Sequence, residues 1–309
     1  MKILGIGNAI VDVICKVNEN FISENNLTKG TMKLIFEENE FQNLLSNLKI
    51  ERTISGGSVA NSIVGLSQLG DEVGFIGKIS DDDLGNKYEV GLKNENVKYF
   101  YSKKKEKLPT GTCLILVTPD SERTMCTFLG TAGQINENDI NLDAINKSEL
   151  IFLEGYLWDE GNPKKAFEKA IKNSKKTAMS LSDKFCVERH KPHFLNLVKN
   201  ELDIIFANEE EITSLIDTNS FDEVISFAKE INKHLIITRG EKGAISVLND
   251  KISEIGTKSN LKIVDLTGAG DLFAAGYLHE LMKNSSTRKC LEKGTELSSR
   301  IIQQIGARF

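Results

Sequence analysis

A chain of 309 residues with 40% hydrophobic content can bury the core of one large α/β domain or of two smaller ones. Its formal charge of −5 argues against a strongly basic nucleic-acid surface, and the run Lys103–Lys105 reads as a solvated loop. The five scattered cysteines, Cys15, Cys113, Cys126, Cys186 and Cys290, lack metal-ligand spacing and fit a reducing, cytoplasmic setting. No apolar stretch reaches the length of a membrane span, and the apolar run Ile3–Ile14 is interrupted by Asn8 and Asp12, so neither a membrane nor a secretory signal is expected.

The first strand is predicted at Lys2–Ile6 and runs into Gly5-Ile-Gly7-Asn8. That string fails the dinucleotide fingerprint, because Ile10 stands where the third glycine belongs. Asp12–Val17 is also strand-like, and Asp12 either accepts bonds from two sugar hydroxyls or is a turn residue. Ser55-Gly-Gly-Ser-Val-Ala-Asn61 opens a helical pattern over Ser58–Leu69. Its glycines allow close backbone approach, and Asn61 offers a donor and an acceptor to vicinal hydroxyls; a plain helix start fits the spacing equally well. A strand follows at Val73–Ile79, where Gly77-Lys78-Ile79 does not complete a P-loop, and then a helix at Leu84–Asn94.

The alternation breaks at Lys98–Tyr101, Thr112–Val117 and Thr124–Leu129, three strand-like runs without a helical interval. They predict a small β-sheet that leaves the main domain and serves as a lid. The alternation then resumes with strands at Leu150–Leu153, Thr177–Leu181, Asp203–Ala207 and Leu235–Thr238. Helical patterns lie at Pro163–Asn173, Phe221–Ile231 and Ala269–Met282. The expected fold is therefore a single α/β domain over residues 1–309, built on a doubly wound, mainly parallel sheet flanked by helices. Residues 12–17 and 97–130 would contribute the lid strands.

Three motifs in the second half carry chemistry. Asn208-Glu-Glu-Glu211 follows the apolar run Ile204–Ala207; oxygen ligands there suit a Mg²⁺ that keeps its waters, or an acidic first helical turn. Thr238-Arg-Gly240-Glu-Lys-Gly243 is a glycine-bearing turn, open to nucleotide phosphates or simply a hairpin. Asp265-Leu-Thr-Gly-Ala-Gly-Asp271 is the strongest signal. A glycine-rich turn delivers unpaired amides at a helix start, an anion cradle, and sets the carboxylate of Asp271 beside it. That pairing suits phosphoryl transfer to a hydroxyl that must lose its proton; an ordinary Asp N-cap is the competing assignment.

In order and spacing these strings resemble the ribokinase-like, or PfkB, family of carbohydrate and nucleoside kinases over nearly the whole chain, down to Ile305-Gly-Ala307. Leu266 departs from the threonine or serine usual at its position. Within the family, Pro109–Cys113, Glu122–Met125, Gly155-Tyr156 and Ser180–Phe185 resemble the adenosine kinase subgroup. The resemblance implies ATP-dependent phosphorylation of the 5′-hydroxyl of a purine nucleoside, with adenosine to AMP preferred. It assigns Asp271 as general base, Gly268, Ala269 and Gly270 as the anion hole, and Arg123 as the lid's neutralising cation. Asp12, Gly57 and Asn61 would bind the ribose, while Ile10, Tyr156 and Phe185 would hold the base or pack the core or lid. Asn208, Thr238, Gly240 and Gly243 would serve ATP, and Glu211 with Asn208 would organise Mg²⁺ through water. A potassium ion is left open, as is the choice between a monomer and a lid-mediated homodimer. The alternatives are a sugar kinase of the same family, acting on ribose, fructose or a keto-deoxy sugar, and a non-catalytic nucleoside sensor.

Overall fold

A computed structural model describes residues 1–120, 122–159 and 163–309. Among these residues the first strands are β1 (Ile3–Ile6), β2 (Val11–Lys16), β3 (Met32–Ile35), β4 (Ile50–Ser55), β5 (Val73–Ile76), β6 (Lys98–Tyr99) and β7 (Thr112–Val117). They are followed by β8 (Arg123–Phe128), β9 (Leu150–Glu154), β10 (Thr177–Ser180), β11 (Ile204–Asn208), β12 (His234–Thr238), β13 (Ala244–Leu248) and β14 (Lys251–Ile255). Nine of them form one sheet in the order β14-β13-β12-β11-β10-β9-β1-β5-β6, and five form another in the order β3-β8-β7-β2-β4.

The large sheet is parallel from β12 to β6, and only β13 and β14 run antiparallel at its edge. Its central strands are buried along their whole length, as Ile3-Leu-Gly-Ile6 is, because helices cover both faces. The α/β, mainly parallel sheet expected from the sequence is the fold observed. In the small sheet burial alternates. Val11, Val13 and Cys15 of β2 point into a core while Asp12 and Ile14 stay half-buried, the period-two signature of a sheet with one open face.

Two differences from the sequence reading concern the small sheet. Lys98–Tyr99 is not a lid strand; it pairs in parallel with Gly74–Phe75 on the edge of the large sheet. The Tyr99 hydroxyl donates to Gly77 O at 2.5 Å and its ring packs by Tyr88, which binds this short strand to the main body. Conversely, β3 and β4 join the small sheet although the sequence reading left them out. The β4 string Ile50-Glu-Arg-Thr-Ile-Ser55 is half exposed, so too few apolar residues mark it.

Helix Ser58–Gln68 is buried on nearly every side. It lies between the large sheet and helix Ala269–Leu281, and the two helices approach so closely that a Cβ on Gly65 would meet Leu272 Cδ1 at 2.8 Å. Leu272, Phe273, Tyr277 and Leu278 are all buried behind that contact, each contributing roughly 1.5–3 kcal/mol of apolar burial. This packing brings the N-terminal ends of the two helices to one point. No helix among the described residues is long and apolar enough to cross a membrane.

Candidate active site

At that point sits Asp271. Ser58 Oγ donates to its Oδ1 at 2.6 Å and Asn61 Nδ2 to its Oδ2 at 2.9 Å, while Ser62 Oγ donates to its main-chain oxygen at 2.9 Å. Two glycines set up the geometry. Gly268 caps the helix in the left-handed region at φ 79°, and a Cβ there would lie 2.7 Å from Ala307 Cα. Gly57 precedes the facing helix at φ 99°, where a Cβ would lie 2.2 Å from Asn8 O. The close approach made by Gly57 is therefore to the protein's own backbone, and it lines neither of the cavities described below. Gly57→Ala is expected to cost at least about 1–2 kcal/mol in backbone strain alone, lowering the urea midpoint together with activity; an unchanged midpoint would show the loop to be slack.

Fewer amides are free at this turn than the sequence suggested. The Ala269 amide is taken by Leu266 O at 3.2 Å, and Leu272 N pairs with Gly268 O. Gly268, Gly270 and Asp271 then present amides with no hydrogen-bond partner among the described residues, and nothing lies within 4 Å of where a Cβ on Gly270 would be. An anion seated against the N-terminus of this helix meets N–H groups and the positive dipole end together.

Burial pushes the Asp271 carboxyl up to about 6, against the hydrogen bonds from Ser58 and Asn61 and the charge of Arg308. Asp12 is raised further, to about 7, by burial and by the nearby charge of Asp271, opposed by Arg308 and Arg123. Glu154, at the end of β9, is likewise raised by burial to about 7 and accepts the Val59 amide at 2.9 Å. Three carboxyls poised near neutrality around one helix junction are unusual as packing, and perturbed groups of this kind gather where proton transfer occurs.

Asp265 ties the surroundings together. Its Oδ1 accepts from Thr267 N and Oγ1, and its Oδ2 accepts from Gly306 N at 2.8 Å and from Arg123 Nη1 at 2.6 Å. Arg123 thus reaches from β8 of the lid to the loop that leads into the cradle. Burial would raise the Asp265 carboxyl, but these donors outweigh it and hold it below the usual range.

Two cavities flank the turn, one reaching it at Thr267 and the other at Ala269 and Gly270. One, of about 540 Å³, is lined by Asp12, Asn61, Arg123, Thr267 and Arg308 among others. The second, of about 660 Å³, is lined by Thr238, Gly240, Gly243, Ala269 and Gly270, with Leu261, Ile263, Leu266, Phe273 and Ile302 forming an apolar slot. Ile263 and Leu266 are 59% and 65% exposed, large apolar groups that a flat ring would cover.

Asn208 and Glu211 form a reciprocal capping box at the start of helix Glu209–Leu215. Glu211 N donates to Asn208 Oδ1, and Asn208 N and Nδ2 donate to the two carboxylate oxygens at 3.0 and 2.6 Å. Both oxygens are so engaged in the helix cap, and burial raises the carboxyl to about 7; with no oxygen free for direct ligation, Glu211 could meet a metal only through water. Asn208 stands in register with Thr238, next to the second cavity.

The three proposed base contacts are not brought together. Ile10 belongs to a small apolar cluster with Cys113, Ile115, Leu129 and Ala132, against which Ile14 and Met125 of the lid sheet pack. Tyr156 instead has its amide bonded by Ser182 Oγ and its ring against the core, and Phe185 is 66% exposed at a helix start. None of the three, Ile10 included, lines either cavity. Ser58, Glu154, Asp265 and Arg308 escaped the sequence reading. Ser58 lay within the quoted Gly-Gly-Ser string, and Arg308 one residue past Gly306-Ala307.

Asp159, Cys186 and His190 form a cluster of metal-ligand chemistry. Arg189, however, claims both oxygens of Asp159 at 2.7 to 2.9 Å, so the carboxylate serves an ion pair.

A helix start with unpaired amides, a buried carboxylate beside it and a cavity on each side suit a phosphotransferase with an alcohol group as acceptor. The family model for pfkB family carbohydrate kinases matches residues 26–309, and the chain belongs to that family. The crystal structure of adenosine kinase from Sinorhizobium meliloti superposes with a TM-score of 0.91 at 34% identity, covering 100% of this chain and 95% of that one. A probable sugar kinase from Rhizobium etli superposes at 0.89 with 33% identity, covering 99% and 94%. Adenosine kinase 2 of Arabidopsis thaliana is 25% identical over 343 residues, covering 99% of this chain and 95% of that protein. The chain is thus a PfkB-family kinase that carries out ATP-dependent phosphotransfer.

Proposed function

We propose that the chain transfers the terminal phosphoryl group of ATP to the 5′-hydroxyl of a purine nucleoside, with adenosine, converted to AMP, as preferred acceptor. The observation that carries this reading is the placement of the Gly268–Asp271 turn between two cavities. Asp12 and Asn61 line the acceptor side, where a carboxylate and an amide can hold the two ribose hydroxyls. The slot of Leu261, Ile263, Leu266 and Ile302 on the other side suits the adenine of ATP. Ile14 and Ile115, apolar residues in or against the buried Ile10 cluster that line the acceptor cavity, support a nucleoside over a free sugar, because an apolar face wants a base and a sugar wants hydroxyl partners. Adenosine kinases recur among the relatives.

In this mechanism Asp271 accepts the acceptor's proton while the free amides of Gly268, Gly270 and Asp271 itself stabilise the transferring group. Arg123, sliding from Asp265 toward the cradle as the lid closes, adds positive charge. Closure of the lid over both cavities excludes water and limits hydrolysis of ATP. Mg²⁺, when bound, neutralises phosphate charge; Asn208 and Glu211 would orient its waters, and assays with and without potassium salts address the monovalent ion.

ADP release with adenosine, inosine, guanosine, ribose and fructose tests the assignment. Turnover on adenosine at least about tenfold above the free sugars is the expected result; turnover on a free sugar alone would replace the nucleoside by a sugar. A lid-mediated dimer or a monomer is read from sedimentation of the same sample.

The same enzyme has a defined pH dependence. Asp271 must be ionised to accept a proton, so kcat/KM is expected to fall as pH drops through about 6, with Asp12 moving the limb toward 7. A flat profile down to about pH 5, well below both values, would remove the general base from the mechanism.

A further inference from the structure

The segment that follows helix Thr287–Ile301 is fastened to the site at several points. Val264 N and Asp265 N donate to Ile302 O, Gly306 N donates to Asp265, and Ala307 packs on Gly268. Phe309 lies 4.1 Å from the Arg300 guanidinium and packs on the core. Between these anchors Arg308 turns inward. Its Nε donates to Asn61 Oδ1 at 2.9 Å, its main-chain oxygen accepts from Gln304 Nε2 at 2.9 Å, and its Nη2 is buried without a partner.

The bond to Asn61 matters because a side-chain amide can face either way. A guanidinium has donors only, so Asn61 must turn its oxygen to Arg308 and its NH₂ to Asp271. The opposite orientation would set oxygen against the carboxylate and NH₂ against the guanidinium. The charges facing Arg308 are those of Asp12 on β2, Glu95 beyond helix Asp83–Asn94, and Asp271, with the Tyr88 hydroxyl also near. Glu154 on β9 faces Asp271, and Arg123 on β8 faces Asp12. Arg123 is shared with Asp265, so Arg308 is the cation that both Asp12 and Asp271 face. A buried guanidinium nitrogen left unpaired is destabilising, a cost that a purely structural arginine would have no reason to bear.

We propose that Arg308 is a positioning residue for phosphoryl transfer: through Asn61 it orients a donor onto Asp271, and it is the fixed counter-charge that Asp271 and Asp12 both face. The inference rests on Asp271 acting as the base. It makes the segment 302–309 part of the catalytic architecture, since Asp265, Gly268 and Asn61 are all contacted from it.

The test compares wild type, Arg308→Gln and Arg308→Lys in kcat, KM and the pH profile of kcat/KM, with thermal unfolding alongside. Arg308→Gln is expected to move the acid limb upward by about one pH unit and to lower kcat/KM about tenfold at neutral pH. Arg308→Lys should restore the limb, because charge is kept, yet lower kcat, because an ammonium does not hold Asn61 in the same planar fork. A folded Arg308→Gln with an unmoved limb overturns the proposal. Should Arg308→Gln fail to fold, Arg308→Lys decides alone: a wild-type limb with reduced kcat supports the inference, and an unchanged kcat overturns it. A wild type inactive on every nucleoside and sugar would defeat the proposed function itself, whereas an active wild type with an insensitive Arg308 defeats only this step.

Discussion

Asp271→Asn is expected to lower kcat roughly 10²- to 10⁴-fold, the range for loss of a positioned general base, while leaving the protein folded. The expected stability follows from the site. Ser58 and Asn61 both donate to the carboxylate, and Ser58 can rotate its hydroxyl to accept from a new amide. Burial opposes the charged form, so replacing it by a neutral isostere removes a desolvation cost. For a carboxyl whose folded pKa is raised, the native state holds the proton more tightly than the unfolded chain. Its contribution to stability therefore grows as pH falls from about 6 toward the ordinary carboxylate range. The variant should lack that increment and melt at or above the wild-type temperature near pH 8, well above that range. Turnover above about a tenth of wild type would mean that another group takes the proton, and Asp12 would be the first to examine.

Arg123→Ala comes next in size. In the proposed mechanism it removes a positive group that meets developing charge, so kcat is expected to fall by about 10²- to 10³-fold, with KM for the acceptor changing far less. The protein should still fold, because Asp265 keeps Thr267 N, Thr267 Oγ1 and Gly306 N as donors once the arginine is gone. Arg123→Lys should recover part of the rate, since charge remains but the planar fork that meets Asp265 does not. Unchanged kcat in Arg123→Ala would leave the arginine as a latch between β8 and the loop at Asp265, with no part in the transfer.

Local strings that act locally were legible in the sequence. The cradle and its carboxylate lie within seven consecutive residues, and the turn at Gly240–Gly243 carries its glycines in the same short window. Periodicity located most strands of the large sheet and the helix Phe221–Ile231 with its observed bounds, because a buried parallel strand and an amphipathic helix each leave a pattern of fixed length. The same logic failed for β4, whose polar, half-exposed string has no such pattern. It also failed for Lys98–Tyr99, because two residues have no period and only the partner Gly74–Phe75 decides which sheet they join.

What the sequence determined by itself, then, is the alternation that makes an α/β sheet and the string that makes a glycine-rich helix start beside a carboxylate. Both are set by backbone geometry within a few residues. The tertiary structure alone decided the rest. Asp271 meets Ser58 and Asn61 across more than two hundred residues, and Arg308 reaches Asn61 from 247 positions away. Tyr156 and Phe185 lie off the cavities despite their aromatic promise. Which side chains share a site depends on how helices pack on a sheet. That packing is chosen by the burial of residues spread over the whole chain, so no single stretch of sequence contains it.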